Sequence, residues 1–175
     1  DGQPLTNETY EIKEGSLAET DTLCVVYGGA SATFVSDGPE GRVDNTFSVS
    51  IMHGETDATG SYYLILTYGK LEITPRPITI TSGSADKIYD GAPLTGDAEN
   101  GYEITEGKLV EGDDLTVTFG LGIIHVRDSG DEKNTFEASV SKDGKDITSS
   151  YSIAPVYGSL TVHERAIDIT ITGGE

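Results

Sequence analysis

Apolar residues in this chain recur at every second position, the period of a strand that buries one face, rather than at helical spacing. Leu115, Val117 and Phe119 alternate with Thr116 and Thr118, and Phe136, Ala138 and Val140 with Thr135, Glu137 and Ser139. The same alternation holds for Tyr151 and Ile153, for Leu160 and Val162, and for Ile167, Ile169 and Ile171. The outward positions are rich in Thr and Ser, which suit a strand's wet face. Turn signals separate these runs at Glu111–Asp114, Asp128–Asn134, Lys142–Asp146 and Tyr157–Gly158. Asp143–Gly144 is suited to the positive φ of a tight hairpin. The one weak helix candidate, Gly107–Gly112, is too short to count. The pattern predicts an all-β protein.

The pattern also occurs twice. DGQPLT at Asp1–Thr6 returns as DGAPLT at Asp90–Thr95, and YEIKEGSL at Tyr10–Leu17 as YEITEGKL at Tyr102–Leu109. From Asn45 to Arg76 the second copy aligns without a gap on Asn134–Arg165, with 12 of 32 positions identical. Two tandem domains of about 85–90 residues follow, a normal domain size. Each is expected to hold about seven short strands, as an Ig-like sandwich, with a β-grasp-like sheet as the alternative. Residues 1–75 form the first repeat, with a boundary that extends as far as 88 in one reading. Residues 76–164 form the second, and 165–175 a closing strand or the start of a further repeat.

Pro75 and Pro77 resist ladder hydrogen bonding, so Ile73–Thr81 reads as a short, semi-rigid linker. The segment Pro77–Tyr89 has no counterpart ahead of Asp1, yet Arg165–Glu175 repeats its first half after the second copy. Either the unit runs from the DG motif through the ITIT strand, or the first copy lacks its opening strand. The length of nearly two periods favours the former. In the latter case an unpaired edge invites strand exchange. A monomer is the expectation. The sequence opens mid-motif and so reads as part of something longer.

Charge narrows the function. Thirty acidic residues against 11 basic give a net charge of −19, which leaves no basic footprint for nucleic acid and disfavours anionic membranes. The plain reading is a solubilising coat. No apolar stretch approaches the length of a membrane span, so no membrane insertion is expected of this segment. Cys24, the one cysteine, reads as a small buried hydrophobe on a strand, and a single cysteine forms no internal disulfide.

The order DG-x-PLT, YEI-x-EG-x-L, GD-x-L, NTF, DGKD-x-T-x-x-Y, YG-x-L-x-V and R-x-ITIT resembles the YDG or MBG type of repeat, found in tandem in long surface proteins of Gram-positive, Firmicutes-like bacteria and in adhesin-like proteins. Lys87–Thr95 carries the full KIYDGAPLT opening. The resemblance implies an extracellular, cell-surface or cell-wall-associated parent with a stalk or adhesion role. It supplies no ligand: the leading expectation is a structural spacer module, and host glycan or extracellular matrix protein is the partner class of the alternative, adhesive reading, reached through the parent. The chain departs from the pattern at Gly96–Asn100, an insertion in the second copy, and near Gly28–Asp44, where the first copy is longer.

Chemistry has weak candidates. Asp113–Asp114, Asp131–Glu132 and Asp97/Glu99 are acid pairs, but a glycosidase needs two carboxylates on a cleft at a set separation, and no enzyme is predicted. Asp128, Asp131, Glu132 and Asn134 place oxygens on a short Gly-containing loop, as do Asp37, Glu40, Asp44 and Asn45. Calcium favours such ligands, but neither loop has EF-hand spacing, so the expectation is two solvated loops with no metal and no cofactor. His53, His125 and His163 lack partners at zinc spacing; His125 reads as a strand residue. Lys13 and Lys70 lie on predicted strands, where surface proteins of this kind sometimes form Lys–Asn cross-links, but their counterparts are Thr105 and Ser159. Tyr10, Tyr62, Tyr68, Tyr102, Tyr151 and Tyr157 pair between copies and suit a thin core or a corner contact.

Overall fold

A computed structural model describes residues 1–97 and 101–173. The chain divides into two compact units, Asp1–Pro75 and Arg76–Glu175. Both are all-β. Unit 1 contains β1 (Asp21–Tyr27), β2 (Arg42–Asn45), β3 (Phe47–His53), β4 (Thr56–Asp57) and β5 (Gly69–Glu72). Unit 2 contains β6 (Arg76–Ser82), β7 (Ala85–Ile88), β8 (Tyr102–Glu106), β9 (Asp114–Phe119), β10 (Gly130–Asn134), β11 (Phe136–Lys142), β12 (Lys145–Asp146), β13 (Tyr151–Val156) and β14 (Gly158–His163). Helical structure among the described residues is limited to single 3₁₀ turns. No helix there is long and apolar enough to cross a membrane.

The two units share a plan. In unit 1, β1 pairs antiparallel with β3, and β3 turns into β4. In unit 2, β9 pairs with β11, and β11 turns into β12. The hairpin turn uses Asp143 (φ 50°) and Gly144 (φ 77°), both in the left-handed region that such turns require. A second antiparallel pair follows, β2 with β5 in unit 1 and β10 with β14 in unit 2. The multiple small sheets are consistent with β-sandwich domains. Unit 2 adds two parallel pairings, β13 with β6 and β14 with β7, which a purely antiparallel sandwich lacks.

Alternation sets what is buried. Ile78 and Ile80 of β6, Val117, Phe136, Val140, Leu160 and Val162 are buried in unit 2. Tyr89 and Leu94 pack on the Ile123–Leu160–Val162 cluster. Unit 1 buries Ala32, Ile51 and Leu71.

Several expectations need correction. About seven strands per repeat become five in unit 1 and nine in unit 2 among the described residues. Ile73–Thr81 is not a linker through its length, because Arg76–Ser82 is β6, held between β13 and β8. Pro77 is tolerated because the pairing with β8 begins only at Thr79, so no bond from that side is missed. The ITIT strand Ile78–Thr81 is thus paired within unit 2. Residues 164–173 form no strand, and Ile167, Ile169 and Ile171 are exposed. Gly130–Asn134, read as turn, is strand β10, its register broken where Glu132 adopts φ 55°. Cys24 is on a strand but exposed, since Leu23, Val25 and Tyr27 take the inner face of β1. Lys13 is exposed, outside any strand, and His125 lies in a loop, stacked on Tyr89.

Candidate functional site

The most developed polar cluster occurs once in each unit, on equivalent residues. In unit 2 the Tyr151 hydroxyl donates to Asp113 Oδ2 at 2.6 Å and accepts from the Val110 backbone N–H at 2.9 Å. Lys142 Nζ meets Asp113 Oδ1 at 2.9 Å. In unit 1 the Tyr62 hydroxyl donates to Asp21 Oδ2 at 2.6 Å and accepts from the Ala18 N–H at 3.0 Å, while His53 Nδ1 lies 2.7 Å from Asp21 Oδ1. The aspartate opens or immediately precedes the first hairpin strand. The tyrosine follows a 3₁₀ turn, and the nitrogen partner, Lys142 or His53, comes from the end of the second hairpin strand. One carboxylate thus ties three segments together.

The electrostatics follow the geometry. Burial works to raise the Asp113 pKa, but the bonds from Tyr151 and Lys142 outweigh it and hold the carboxyl below its usual range. The bond from Tyr62, and then that from His53, do the same for Asp21. Each tyrosine moves the other way. Burial and then the Asp113 contact raise Tyr151, and the bond to Asp21 raises Tyr62. A carboxylate stabilised as an anion beside a phenol stabilised as a neutral donor is a lock.

A second element sits next to it. Asp146 Oδ1 accepts from the Thr148 N–H at 2.8 Å, and Thr148 Oγ1 accepts from the Val140 N–H at 2.9 Å. Asp57 and Thr59 repeat both bonds, the second to the Ile51 N–H, at 2.8 and 2.9 Å. The D-x-T-x-x-Y motif is therefore one device: Asp fixes the turn, Thr takes a strand N–H that the hairpin leaves unpaired, and Tyr reaches the distant aspartate. The KIYDG opening is another. Lys87 Nζ binds Asp90 Oδ1 at 2.7 Å and the Ala92 carbonyl at 2.6 Å, while Asp90 Oδ1 accepts from the Ala92 N–H. Asp1 makes the matching bond to the Gln3 N–H.

The acidic loops are not brought together as cation sites. Asp37 Oδ2 accepts from the Thr33 and Phe34 N–H groups, Glu40 faces Arg42, and Asp44 pairs with Lys70 at 2.8 Å. Asp128 lies beside Arg127, and Asp131 and Glu132 are exposed. Buried Asn134 points inward, donating Nδ2–H to the Gly83 carbonyl at 2.7 Å, and Asn45 donates to the Asn7 carbonyl. No group of three or more His, Cys, Asp or Glu that could hold a metal occurs among the described residues. Of the acid pairs, Asp113 is locked and Asp114 is exposed on β9, while Glu99 lies outside the described residues. A shallow depression of about 520 Å³, lined in part by Leu121, Ile123, Arg127, Asp128, Glu132 and Lys133, opens beside the second loop. His163 Nε2 meets Asp86 Oδ2 at 3.1 Å across the parallel β7–β14 pair.

The sequence reading paired the tyrosines but missed their acceptors. The signal was present: Asp21 and Asp113 share the 92-residue offset of the YEI segments, although their neighbours Thr22 and Asp114 differ. No protein-family model, curated protein or solved structure matches the chain.

Proposed function

We propose that the chain is a structural, spacer-type pair of repeats from a cell-surface adhesin-like protein, of the YDG/MBG kind that its motifs resemble. One observation carries this reading. The residues that recur between the copies, Asp21/Asp113, Tyr62/Tyr151, Thr59/Thr148 and Asn45/Asn134, are engaged in intramolecular hydrogen bonds. What the repeat preserves is a way of folding, as tandem arrays that supply reach or spacing would preserve. The acidic surface fits an exposed location, where like charge opposes self-association.

The second reading is an adhesive module for host glycan or extracellular matrix protein. It is favoured by the depression beside Leu121, where an almost fully exposed leucine stands among opposite charges on a loop. Immobilised mucins, glycans and matrix proteins, probed with the full chain with and without calcium, separate the two. The spacer reading expects no saturable binding across the panel. Saturable binding abolished by Leu121→Asp replaces it with the adhesive one.

A further inference from the structure

Each hairpin ends in an open edge. The sheets run β1–β3–β4 in unit 1 and β9–β11–β12 in unit 2, so β1 and β9 each have a neighbour on one side only. The Gly28 N–H donates to the Thr46 carbonyl at 2.8 Å, which sets the phase of the β1–β3 ladder. Thr22, Cys24 and Val26 therefore share their backbone groups with β3, while Leu23, Val25 and Tyr27 aim theirs the other way. Gly120 and Thr135 set the same phase in unit 2, where Leu115, Val117 and Phe119 aim outward. No strand pairs with these outward groups among the described residues. β9 stands at its edge in a unit whose β6, β8 and β13 are all paired, so the open side belongs to the hairpin itself.

Edges of this kind are usually blunted by charge, proline or a bulge. On its wet face β9 carries Asp114, Thr116 and Thr118. At the equivalent positions β1 carries Thr22, Cys24 and Val26, all exposed, with Val26 at 64%. Thr22–Tyr27 contains no charged residue, glycine or proline, and its register with β3 is unbroken. In a chain of net charge −19 this is a neutral, regular, strand-forming edge with nothing to turn a second strand away.

The edge also matches itself. β1 is 7 residues long with Cys24 at its centre. When it is laid antiparallel on a copy of itself about a two-fold axis through Cys24, Leu23 falls opposite Val25 of the other copy. Tyr27 falls opposite Asp21, whose N–H is already held by the Ala18 carbonyl. These residues are the outward-facing set, so they become the hydrogen-bonded pairs. Cys24 then faces Cys24, and Thr22 faces Val26, at the non-bonded positions where side chains approach most closely. Sliding one strand by a single residue would set outward groups against inward ones.

We propose that β1 of unit 1 pairs antiparallel with β1 of a second copy of this chain about that axis, joining two β1–β3–β4 sheets into one. The contact is isologous and closes at two copies. It covers Val26 on the wet face of the sheet. Repulsion between two acidic chains opposes it, so added salt strengthens it.

Light scattering on the full chain in reductant, with amide exchange read residue by residue, tests this. The mass should climb from the 18.5 kDa monomer toward twice that value, and no further, as concentration and salt rise. The Leu23 and Val25 amides, fast to exchange in the monomer, should gain protection in the dimer. Cys24→Ser should leave the dimer in place. Cys24→Lys sets like charges against each other across the axis and should return the mass to monomer, with the β3 amides still protected. Register is read by cross-linking with diamide, which is reduced to the hydrazine as two thiols become a disulfide. Cys24 should cross-link to itself. On the Cys24→Ser background, Thr22→Cys and Val26→Cys chains should cross-link to each other and not to themselves. A chain that stays monomeric in reductant overturns the proposal, as does a dimer that Cys24→Ser abolishes. Equal self-cross-linking at positions 22, 24 and 26, the mark of random collision, overturns it too.

Discussion

The two units share a set of motifs, with 12 of 32 positions identical from Asn45 to Arg76, and differ in how much of each is paired in sheets. Val140 and Leu160 are fully buried in unit 2, and their counterparts Ile51 and Leu71 are buried in unit 1. The hairpin halves of the two repeats are therefore alike. They part at the strands flanking β6. Ile104 and Ile153 are half-buried, whereas Ile12 and Leu64 are exposed. Tyr151 is buried and Tyr62 only partly so, although each makes the same 2.6 Å bond to its aspartate. The local motifs hold in either setting because their partners lie within the hairpin and its turns. Outside the hairpin, unit 2 gathers β8 and β13 on β6, whereas the corresponding Tyr10–Glu14 and Tyr62–Thr67 are in no sheet among the described residues.

The comparison is broken most strongly at β6. Ile80→Ala leaves a cavity at a fully buried site and should destabilise unit 2 by roughly 2–5 kcal/mol. Hydrogen exchange should show β8, β9, β11 and β13 losing protection while β1 and β3 keep theirs; equal loss in both hairpins would show that the units do not fold separately. A smaller effect is expected at the lock. Tyr151→Phe strips a hydrogen bond from buried Asp113 and should cost about 1–3 kcal/mol, read as a shift of the denaturant midpoint. Tyr62→Phe, at a wetter site, should shift the unit 1 midpoint less.

Acid sharpens the same contrast. Asp21 and Asp113 titrate lower in the folded state than in the unfolded one. Their contribution is complete above the unfolded carboxylate range of about 4 and is lost as pH falls through the lowered folded values. Both units should therefore weaken on acidification below about pH 4, and Asp113→Asn should flatten that dependence in unit 2 alone. A pH profile unchanged by Asp113→Asn would remove the carboxylate from the account. The smallest effect belongs to Lys87. Lys87→Met removes the clamp on the Asp90 turn at a partly exposed site, and its effect on the unit 2 midpoint should stay within about 1 kcal/mol.

The all-β class and most of the strands were legible because alternation is a local property. Leu115–Phe119, Phe136–Val140, Tyr151–Ile153 and Leu160–Val162 all form strands with the expected faces. The hairpin at Asp143–Gly144 was legible for the same reason. What escaped depends on pairing partners, which periodicity does not specify. Ile78–Thr81 and Ile169–Thr172 have identical sequences, yet one is the centre of a sheet and the other is unpaired. The prolines beside the first suggested a linker, although a strand that gains its second neighbour only at Thr79 accommodates Pro77. Gly130–Asn134 carried turn residues and became strand β10 because β14 supplies its ladder and a bulge at Glu132 absorbs the mismatch. The aspartates of the lock were hidden among 30 acidic residues, where only the shared offset marks them.

The parallel pairing of β7 with β14 has a mechanical consequence. Leu160–His163 lies alongside Ala85–Ile88 with both strands running the same way. Tension pulling back on the start of unit 2 and forward on its end would slide these strands past each other along their length. The ladder bonds would then carry load together in shear instead of opening one at a time. A repeat wired this way meets an end-to-end pull with that ladder loaded in shear.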